Sequence, residues 1–544
     1  MSDTTPQLEV IGPRAFYDCA SLQRLDLPYS VTSIREYAFT GCNSLAHIEW
    51  GGPKDLAVSK MDATGLRRLV FHGNVTIYDS GVFRETATSL VQVRYDQYAT
   101  KVQADIFMGI KSLKELHMES IESIGNNAFK DCTSLESVVL PETLTKTGIS
   151  SFAGCTALKS IELPQSLTTV SESLFEGDTS LESITFGENV TRIDGKAFKG
   201  CNSLKSIVFP MSLSTIATSC LDNCQNLTSI TIGGEKALNG LDDALAKDSP
   251  LESLTLRGNV TARFNRETLR KVSFTDYCNE ISGSCFTDCV NLTDVDFSNI
   301  KKLGRYSFRN CTSLTSVDLS NVEEISYYAF YECANLAQVT LGDKLTEIGD
   351  HAFSKTAISS LKIPDSVTSF GYLEECPNLT EIIYGDGLTN ISGNPRGCDK
   401  LTKVELGRNV TNVNLYYFTN LKNLTVKTTT PPHANSFKTE IYKAATLWVP
   451  TGCAEAYREA TIWKNFSYIR ERDFSGIEDV KADAEGIQLS IIGDVLEISS
   501  DRNLIIHDIR GRKVAEYSAG VHHISLSPGT YIVSADGFVK KVIL

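Results

Sequence analysis

The sequence predicts a β-rich α/β repeat solenoid of short strands and helical turns, followed by a small all-β sandwich domain. Three observations carry that expectation. One motif recurs with a period of about 23 residues. Apolar and polar residues alternate through the first part of each copy. The pattern then stops after Val426 and gives way to short alternating segments separated by turn residues.

The repeat is seen by laying Phe129-Lys130-Asp131-Cys132-Thr133-Ser134-Leu135 over Phe152-Ala153-Gly154-Cys155-Thr156-Ala157-Leu158 and Phe198-Lys199-Gly200-Cys201-Asn202-Ser203-Leu204. Its period lies in the leucine-rich-repeat range, and the unit reads L-x-x-I-x-L-P-x-S-L-T-x-I-x-x-x-A-F-x-G-C-x-S. In Leu158-Lys159-Ser160-Ile161-Glu162-Leu163 the alternation is that of a half-buried strand. Pro164 ends it, because proline has no N–H to give to a ladder. A second extended piece follows at Leu167-Thr168-Thr169-Val170, and the stretch up to the Phe and Cys reads as one helical turn with the Phe driven inward. The opening leucine recurs from Leu22 to Leu421, giving about nineteen coils over residues 8–430. One coil cannot bury its own apolar face; stacking places Leu on Leu and Phe on Phe. Residues 51–66 and 233–250 lack the Ala-Phe-x-x-Cys signature and the copy at 257–274 is short, so bends or loops are expected there.

One repeat position holds Cys132, Cys155, Cys201, Cys224, Cys289, Cys311, Cys333, Cys376 and Cys398, with Cys19 and Cys42 in the same place near the start. Other copies put Ile110, Asp178 or Thr356 there. A slot that takes Ile and Thr beside Cys is small and faces inward, and free Cys behaves as a small hydrophobe. The expectation is a structural ladder of buried thiols. Disulfides between neighbouring coils would need side-chain directions that a parallel stack does not readily offer.

No CxxC pair occurs among the fifteen cysteines, and the eight histidines make no HExxH. His522-His523 sits on a segment read as a strand, where one ring points each way. Neither a GxSxG elbow nor a P-loop is present. No catalytic residue, metal site or cofactor is therefore expected, and the chain is not read as an enzyme. A net charge of −14 argues against nucleic acid, since phosphate backbones would be repelled. No run of 18 apolar residues offers a transmembrane segment.

That leaves binding. The outward strand positions carry a serine column, including Ser160, Ser183, Ser206 and Ser229, which is small, polar and nearly free of the aromatics that anchor interfaces and sugars. Aromatics gather instead at Tyr306, Tyr327, Tyr328, Tyr331, Tyr416 and Tyr417, in or beside the turn segment. They form either an exposed ledge for a partner or packing along the edge of the stack.

Residues 431–472 read as a cap. Leu447-Trp448-Val449-Pro450 is a last strand, and an amphipathic helix runs from Ala454 through Phe466. Trp448, Tyr457, Trp463 and Phe466 are available to close the open end. Residues 473–485 are a polar, acidic linker, and 486–544 form the β-sandwich. The N-terminus lacks a basic n-region and an apolar h-region, so no signal peptide is read there. The first repeat opens in its middle at Leu8, and a leader with some repeats is expected to have been removed.

The repeat I-x-x-x-A-F-x-x-C-x-S-L-x-x-I-x-L-P-x-S resembles the BspA-like (Treponema pallidum type) leucine-rich repeats over residues 8–430. The cap is similar to the end of such proteins in gut and oral Bacteroidetes. Ile506-His507-Asp508-Ile509-Arg510-Gly511-Arg512-Lys513-Val514, Leu526-Ser527-Pro528-Gly529-Thr530-Tyr531-Ile532-Val533 and Lys540-Lys541 resemble a type IX secretion C-terminal sorting domain. These resemblances imply a secreted or cell-surface, outer-membrane-associated protein without catalytic residues. They imply adhesion to host extracellular-matrix proteins or other bacterial surfaces. The alternative is capture of a surface glycan or nutrient. The chain is expected to be monomeric.

Overall fold

The computed structural model describes residues 7–474 and 487–543, apart from 51–55, 60–62, 79–81, 84–87, 235–237, 239–244, 247, 260, 265, 276, 392–394, 415, 417, 436, 493–494, 501, 509–511, 526–529 and 536–537. The chain divides into two compact units, Met1–Ser359 with Ser369–Asn378 and Ser360–Thr368 with Leu379–Leu544. This division falls inside the repeat array, whereas the repeat pattern itself fades near residue 430.

In the first unit each regular coil contributes to two separate parallel ladders. The leucine segment makes one: Glu115–Met118 lies beside Gln92–Tyr95 with Leu116 opposite Val93 and Met118 opposite Tyr95. Leu116 and Met118 are buried while Glu115 and His117 face out, as the period of two requires. The second extended piece makes the other ladder, as where Ser123–Ile124 pairs with Lys101–Val102. The described part of the irregular stretch 51–66 stays in this second ladder, with Leu56–Val58 pairing to Ser33–Ile34 and to Val75–Ile77.

The third segment, expected as a helical turn, is not helical. Asn127 (φ 53°) and Asp131 (φ 59°) are left-handed and bracket Ala128-Phe129-Lys130. Left-handed residues end any run of helical dihedrals. The N–H groups of Phe129 and Asp131 donate to Ser151 O (2.8 Å) and Ala153 O (2.7 Å) of the following coil instead. The segment thus behaves as a third hydrogen-bonded side of the coil. Among the described residues of the first unit, Thr218–Leu221 alone forms a short 3-10 helix. The residue before the Cys slot is left-handed, which explains the G, N or D common there: Gly154, Gly177 (before Asp178), Gly200, Asn223, Asp288 and Asn310 all have positive φ.

The inward side of this segment builds an aromatic column. Phe107, Phe129, Phe152, Phe175 and Phe198 stack with centroids 5.2–6.0 Å apart and nearly parallel planes. Phe264, Phe286, Phe308, Phe330 and Phe353 repeat the arrangement. Polar residues of the motif are equally periodic. Asn189 and Asn226 donate through Nδ2 to Gln165 O (2.9 Å) and Asn202 O (2.8 Å) of the preceding coil. Thr191 and Thr228, two residues on, donate through Oγ1 to Thr168 O (3.3 Å) and Lys205 O (3.3 Å), so the Asn and the Thr of each of these N-x-T triplets both tie the coil to the one before it.

In the second unit, Ser360–Lys362, Glu381–Ile383, Lys403–Leu406, Asn423–Val426, Thr446–Pro450 and Tyr468–Arg472 form one parallel sheet. The cap holds two short helices, Thr439–Ala444 and Ala454–Glu459, and a 3-10 turn at Trp463–Asn465. The single helix expected from Ala454 to Phe466 is therefore broken, and the first helix has no counterpart in the sequence reading. Trp463 donates Nε1–H to Pro432 O (2.8 Å), and the Tyr457 hydroxyl meets Thr428. Tyr457, Trp463 and Phe466 are buried. Trp448 is not part of that plug: it is half-buried and its Nε1–H reaches Asn423 Oδ1 (3.3 Å).

Two antiparallel sheets follow. One holds Ile487–Ile492, Val495–Ser500 and Gly520–Ser525; the other holds Lys513–Tyr517, Leu504–Asp508, Thr530–Ala535 and Phe538–Ile543. Leu496, Ile498, Leu504, Ile506, Ile524 and Val533 form their shared core. Most of the expected linker (residues 475–485) and, within the segments that resemble a sorting domain, residues 509–511 and 526–529 lie outside the described residues.

Phe152 is fully buried between two stacked rings. Phe152→Ala is expected to cost about 3–5 kcal/mol in urea unfolding, and Tyr327→Ala, at an exposed position, less than about 0.5. Equal losses would show that the column is not a continuous core.

Candidate functional site

Binding sites on a repeat stack arise where a column of one side-chain type departs from the template. The left-handed residue two before each Phe supplies such a column. It projects from the edge of the coil, and the coils set its copies one above another at the strand spacing of about 4.8 Å. Among the described left-handed copies it is Asn127, Ser150, Ser173, Lys196 and Ser284 in five coils and Arg14 and Asp105 in two more. It is aromatic at Tyr37 (φ 61°) and, in three consecutive coils, at Tyr306 (φ 59°), Tyr328 (φ 59°) and His351 (φ 57°). The N–H groups of these three donate to Tyr327 O (3.1 Å), Asp350 O (2.9 Å) and Tyr372 O (2.8 Å), which locks the backbone of each ring to the next coil.

The rings form a continuous stack. Tyr306 and Tyr328 lie 4.9 Å apart at 27°, Tyr328 and His351 4.9 Å at 19°, and His351 and Tyr372 5.8 Å at 22°. Tyr331 meets Tyr328 edge-on at 5.1 Å. Cations line the same edge. Arg305 lies over Tyr306 at 4.8 Å, Arg309 lies 5.9 Å from the Tyr331 centroid, and Lys355 lies over Tyr331 at 4.9 Å. Glu332 joins two of them, at 3.0 Å from Arg309 and 3.2 Å from Lys355. Burial pushes the Glu332 carboxyl up, but Arg309 and Lys355 outweigh it and hold the carboxyl below its ordinary value. Tyr331 and then Glu332 raise the Lys355 ammonium. Burial, reinforced by the neighbouring tyrosines, raises the Tyr328 phenol. The edge therefore presents Arg305 beside Arg309 and Lys355, which share the Glu332 carboxylate, against the stacked rings.

Of the tyrosines singled out in the sequence, Tyr306, Tyr328 and Tyr331 come together here and are half-buried. Tyr327 is exposed and stands outside the stack; Tyr416 is exposed and belongs to the second unit. Tyr417 lies outside the described residues. His351, Tyr372, Arg305, Arg309 and Lys355 were missed. The signal for His351 was in the period, since it occupies the repeat position of Tyr306 and Tyr328. Tyr372 belongs to a coil without the Ala-Phe pair, so the template did not align it.

The cysteine column has a different character. Cys132, Cys155, Cys201, Cys224, Cys289, Cys311, Cys333, Cys376 and Cys398 are buried thiols outside any disulfide, whereas Cys19 is exposed. Eight of these thiols donate to the carbonyl of the Phe in the preceding coil, among them Cys132 to Phe107 O (3.3 Å), Cys155 to Phe129 O (3.4 Å), Cys201 to Phe175 O (3.3 Å) and Cys224 to Phe198 O (3.2 Å). Cys289, Cys311, Cys333 and Cys376 make the same bond to Phe264, Phe286, Phe308 and Phe353. Burial pushes the Cys132 and Cys333 thiols up to about 12 and Cys224 and Cys289 up to about 11. Protonated, hydrogen-bonded thiols are poor nucleophiles and poor ligands.

Asp178 occupies this slot in one coil. It is fully buried; Oδ1 accepts from Cys155 N–H (2.8 Å) and Oδ2 has no partner. Burial raises its pKa well above the ordinary carboxylate value.

A sequence model described as BspA type leucine-rich repeat region matches in six overlapping copies, at residues 3–114, 76–195, 122–240, 168–267, 261–373 and 371–448. Among solved structures, a leucine-rich repeat protein from Bacteroides ovatus is 22% identical, with 70% of this chain and 84% of that one covered and a TM-score of 0.31. A leucine-rich cell surface protein from Faecalibacterium prausnitzii is 18% identical over 70% of this chain and 87% of that one, with a TM-score of 0.29. The leucine-rich repeat protein of T. pallidum is 27% identical over 37% of this chain and 73% of its own, with a TM-score of 0.21. No curated protein matches.

Two measurements test the column. With a thiol reagent on the native chain, Cys19 is expected to react fast and Cys453 slowly, while the thirteen buried cysteines wait for unfolding. Rapid reaction of Cys155 or Cys201 would contradict a closed ladder. Asp178→Cys is expected to stabilise the chain by about 1–3 kcal/mol at pH 7. Asp178 has a folded pKa above its unfolded one. Its favourable share is therefore complete below the unfolded value, about 4, and is lost as pH rises toward the folded value. The advantage of the variant should shrink toward zero as pH falls to about 4, and a pH-independent difference would refute the linkage.

Proposed function

Since the chain belongs to the BspA type leucine-rich repeat family, we propose that it is a non-catalytic protein-interaction scaffold displayed outside the cell. In this reading it adheres to host or bacterial proteins through the edge built by Tyr306, Tyr328, Tyr331 and His351. The observation that carries this is the ring stack bordered by Arg305, Arg309 and Lys355. Tyr and Arg are the residue types that anchor protein interfaces, and a rigid stack loses little entropy when it is covered. The serine-lined strand face offers no comparable anchor.

The stack also favours protein over glycan. A sugar platform needs an open ring face. Here the faces of Tyr328 and His351 are spent on one another, and Arg305 covers Tyr306. On Tyr306, Tyr328 and His351 this leaves mainly edges, hydroxyls and neighbouring charge, which suit a peptide surface. Residues 486–544 serve, in the same reading, as the export module. Their deletion in the host cell should leave the chain inside the outer membrane, and unchanged surface display would remove that assignment.

The binding test immobilises the full chain and offers extracellular-matrix proteins and mixed glycans as separate arms. A protein partner should be captured. The Tyr306→Ala/Tyr328→Ala variant should weaken capture about tenfold or more, and Tyr327→Ala or Tyr416→Ala little. Glycan capture alone, or protein capture indifferent to the double variant, would overturn the assignment of this edge.

A further inference from the structure

The outward face of the first coils departs from the serine-lined pattern in its own way. Arg24–Asp26 and His47–Trp50 are neighbouring parallel strands, with Arg24 opposite His47 and Asp26 opposite Glu49. Asp26, His47 and Glu49 therefore share one small patch. His47 Nε2 lies 3.8 Å from Asp26 Oδ1 and 3.6 Å from Glu49 Oε2. Donor atoms of all three residues fall within 4.8 Å of one another. The His47 side chain is 14% exposed, and its Nε2 is buried without a hydrogen-bond partner. Both gaps are too long for hydrogen bonds. They are within the reach of two ligands that share one cation at about 2.0–2.2 Å each.

Glu49 is held from behind. Its Oε1 contacts His72 Nε2 at 2.8 Å, and His72 Nδ1 in turn meets Asp96. A carboxylate–imidazole–carboxylate contact of this kind fixes the orientation of a ligating group. In front, Arg24 already serves as a cation. Its Nε lies 2.9 Å from both Asp26 oxygens and its Nη2 3.3 Å from Glu49 Oε2. The side chain is 59% exposed, so it can swing away, and it leaves the buried imidazole nitrogen unengaged. A metal ion takes all three donors at once.

We propose that Asp26, His47 and Glu49 bind a divalent transition cation of the zinc type, and that Arg24 neutralises the two carboxylates until the ion displaces it. One imidazole beside two carboxylates favours such an ion over calcium or magnesium. Three protein ligands on an outward face leave a coordination position for water or for a group of a bound partner. The inference is independent of the tyrosine edge, which lies on other coils.

Zinc chloride titrated calorimetrically into the full chain is the test. All arms carry Cys19→Ser, so that the exposed thiol takes no ion. The parent is expected to bind one ion at this patch. His47→Gln and Glu49→Gln should each weaken it at least tenfold, with circular dichroism checking the fold. Arg24→Ala should tighten it, a gain that damage to folding cannot mimic. No zinc binding by the parent, affinity unchanged in His47→Gln, weaker binding in Arg24→Ala, or preference for calcium would each overturn the proposal.

Discussion

The structure depends on one shared acceptor. The Phe carbonyl of each turn takes the Cys N–H of its own coil, as Cys132 N does with Phe129 O at 3.2 Å. It takes the thiol of the next coil as well, as Cys155 Sγ does at 3.4 Å. One carbonyl has two lone pairs, and both are used. This ties the sharpest part of each coil to its neighbour in the dry centre of the stack, where an unmade bond would cost about 1–3 kcal/mol. The slot accordingly selects a small donor, and Asp178, which has no hydrogen to give when ionised, is out of keeping with it.

From that bond the remaining repeat follows. The chain must reverse direction tightly on either side of the Phe, which is why two left-handed residues bracket it. The inner consequence is the Phe stack. The outer consequence is that whatever side chain occupies the first left-handed position stands in a vertical row on the edge. The same geometry that buries Phe308 on Phe330 therefore displays Tyr306 on Tyr328. A surface column on this protein needs no separate architecture; it needs a change of residue at one template position in consecutive coils.

This also explains what could be read beforehand. Periodicity in the sequence reports directly on stacking, so the strand at Leu158–Leu163, the inward Phe and the buried cysteine position were legible. The turn was misread as helical because its hydrogen bonds run between coils, and local sequence carries the pattern of local bonds only. The candidate edge was half legible. Clustering in sequence picked out Tyr306, Tyr328 and Tyr331 but also Tyr327, whose side chain points elsewhere, while His351 needed comparison across one repeat. Asp26, His47 and Glu49 escaped for the same reason. Motif searches look a few residues along the chain, whereas here neighbours in space are one coil apart.

The thiol ladder bears on where such a chain can work. Free cysteines in an oxidising compartment are a liability, since thiolates attack disulfides and oxidants. The repeat answers this with position. The buried thiols point in the same direction along the stack, each toward a carbonyl, so neighbours do not face each other as a disulfide requires. Burial also keeps them protonated: Cys132 is pushed up to about 12, and Cys155 and Cys311 well above the ordinary value. Protection of this kind exists only in the folded stack. In such a compartment the coils would have to stack before the thiols are oxidised.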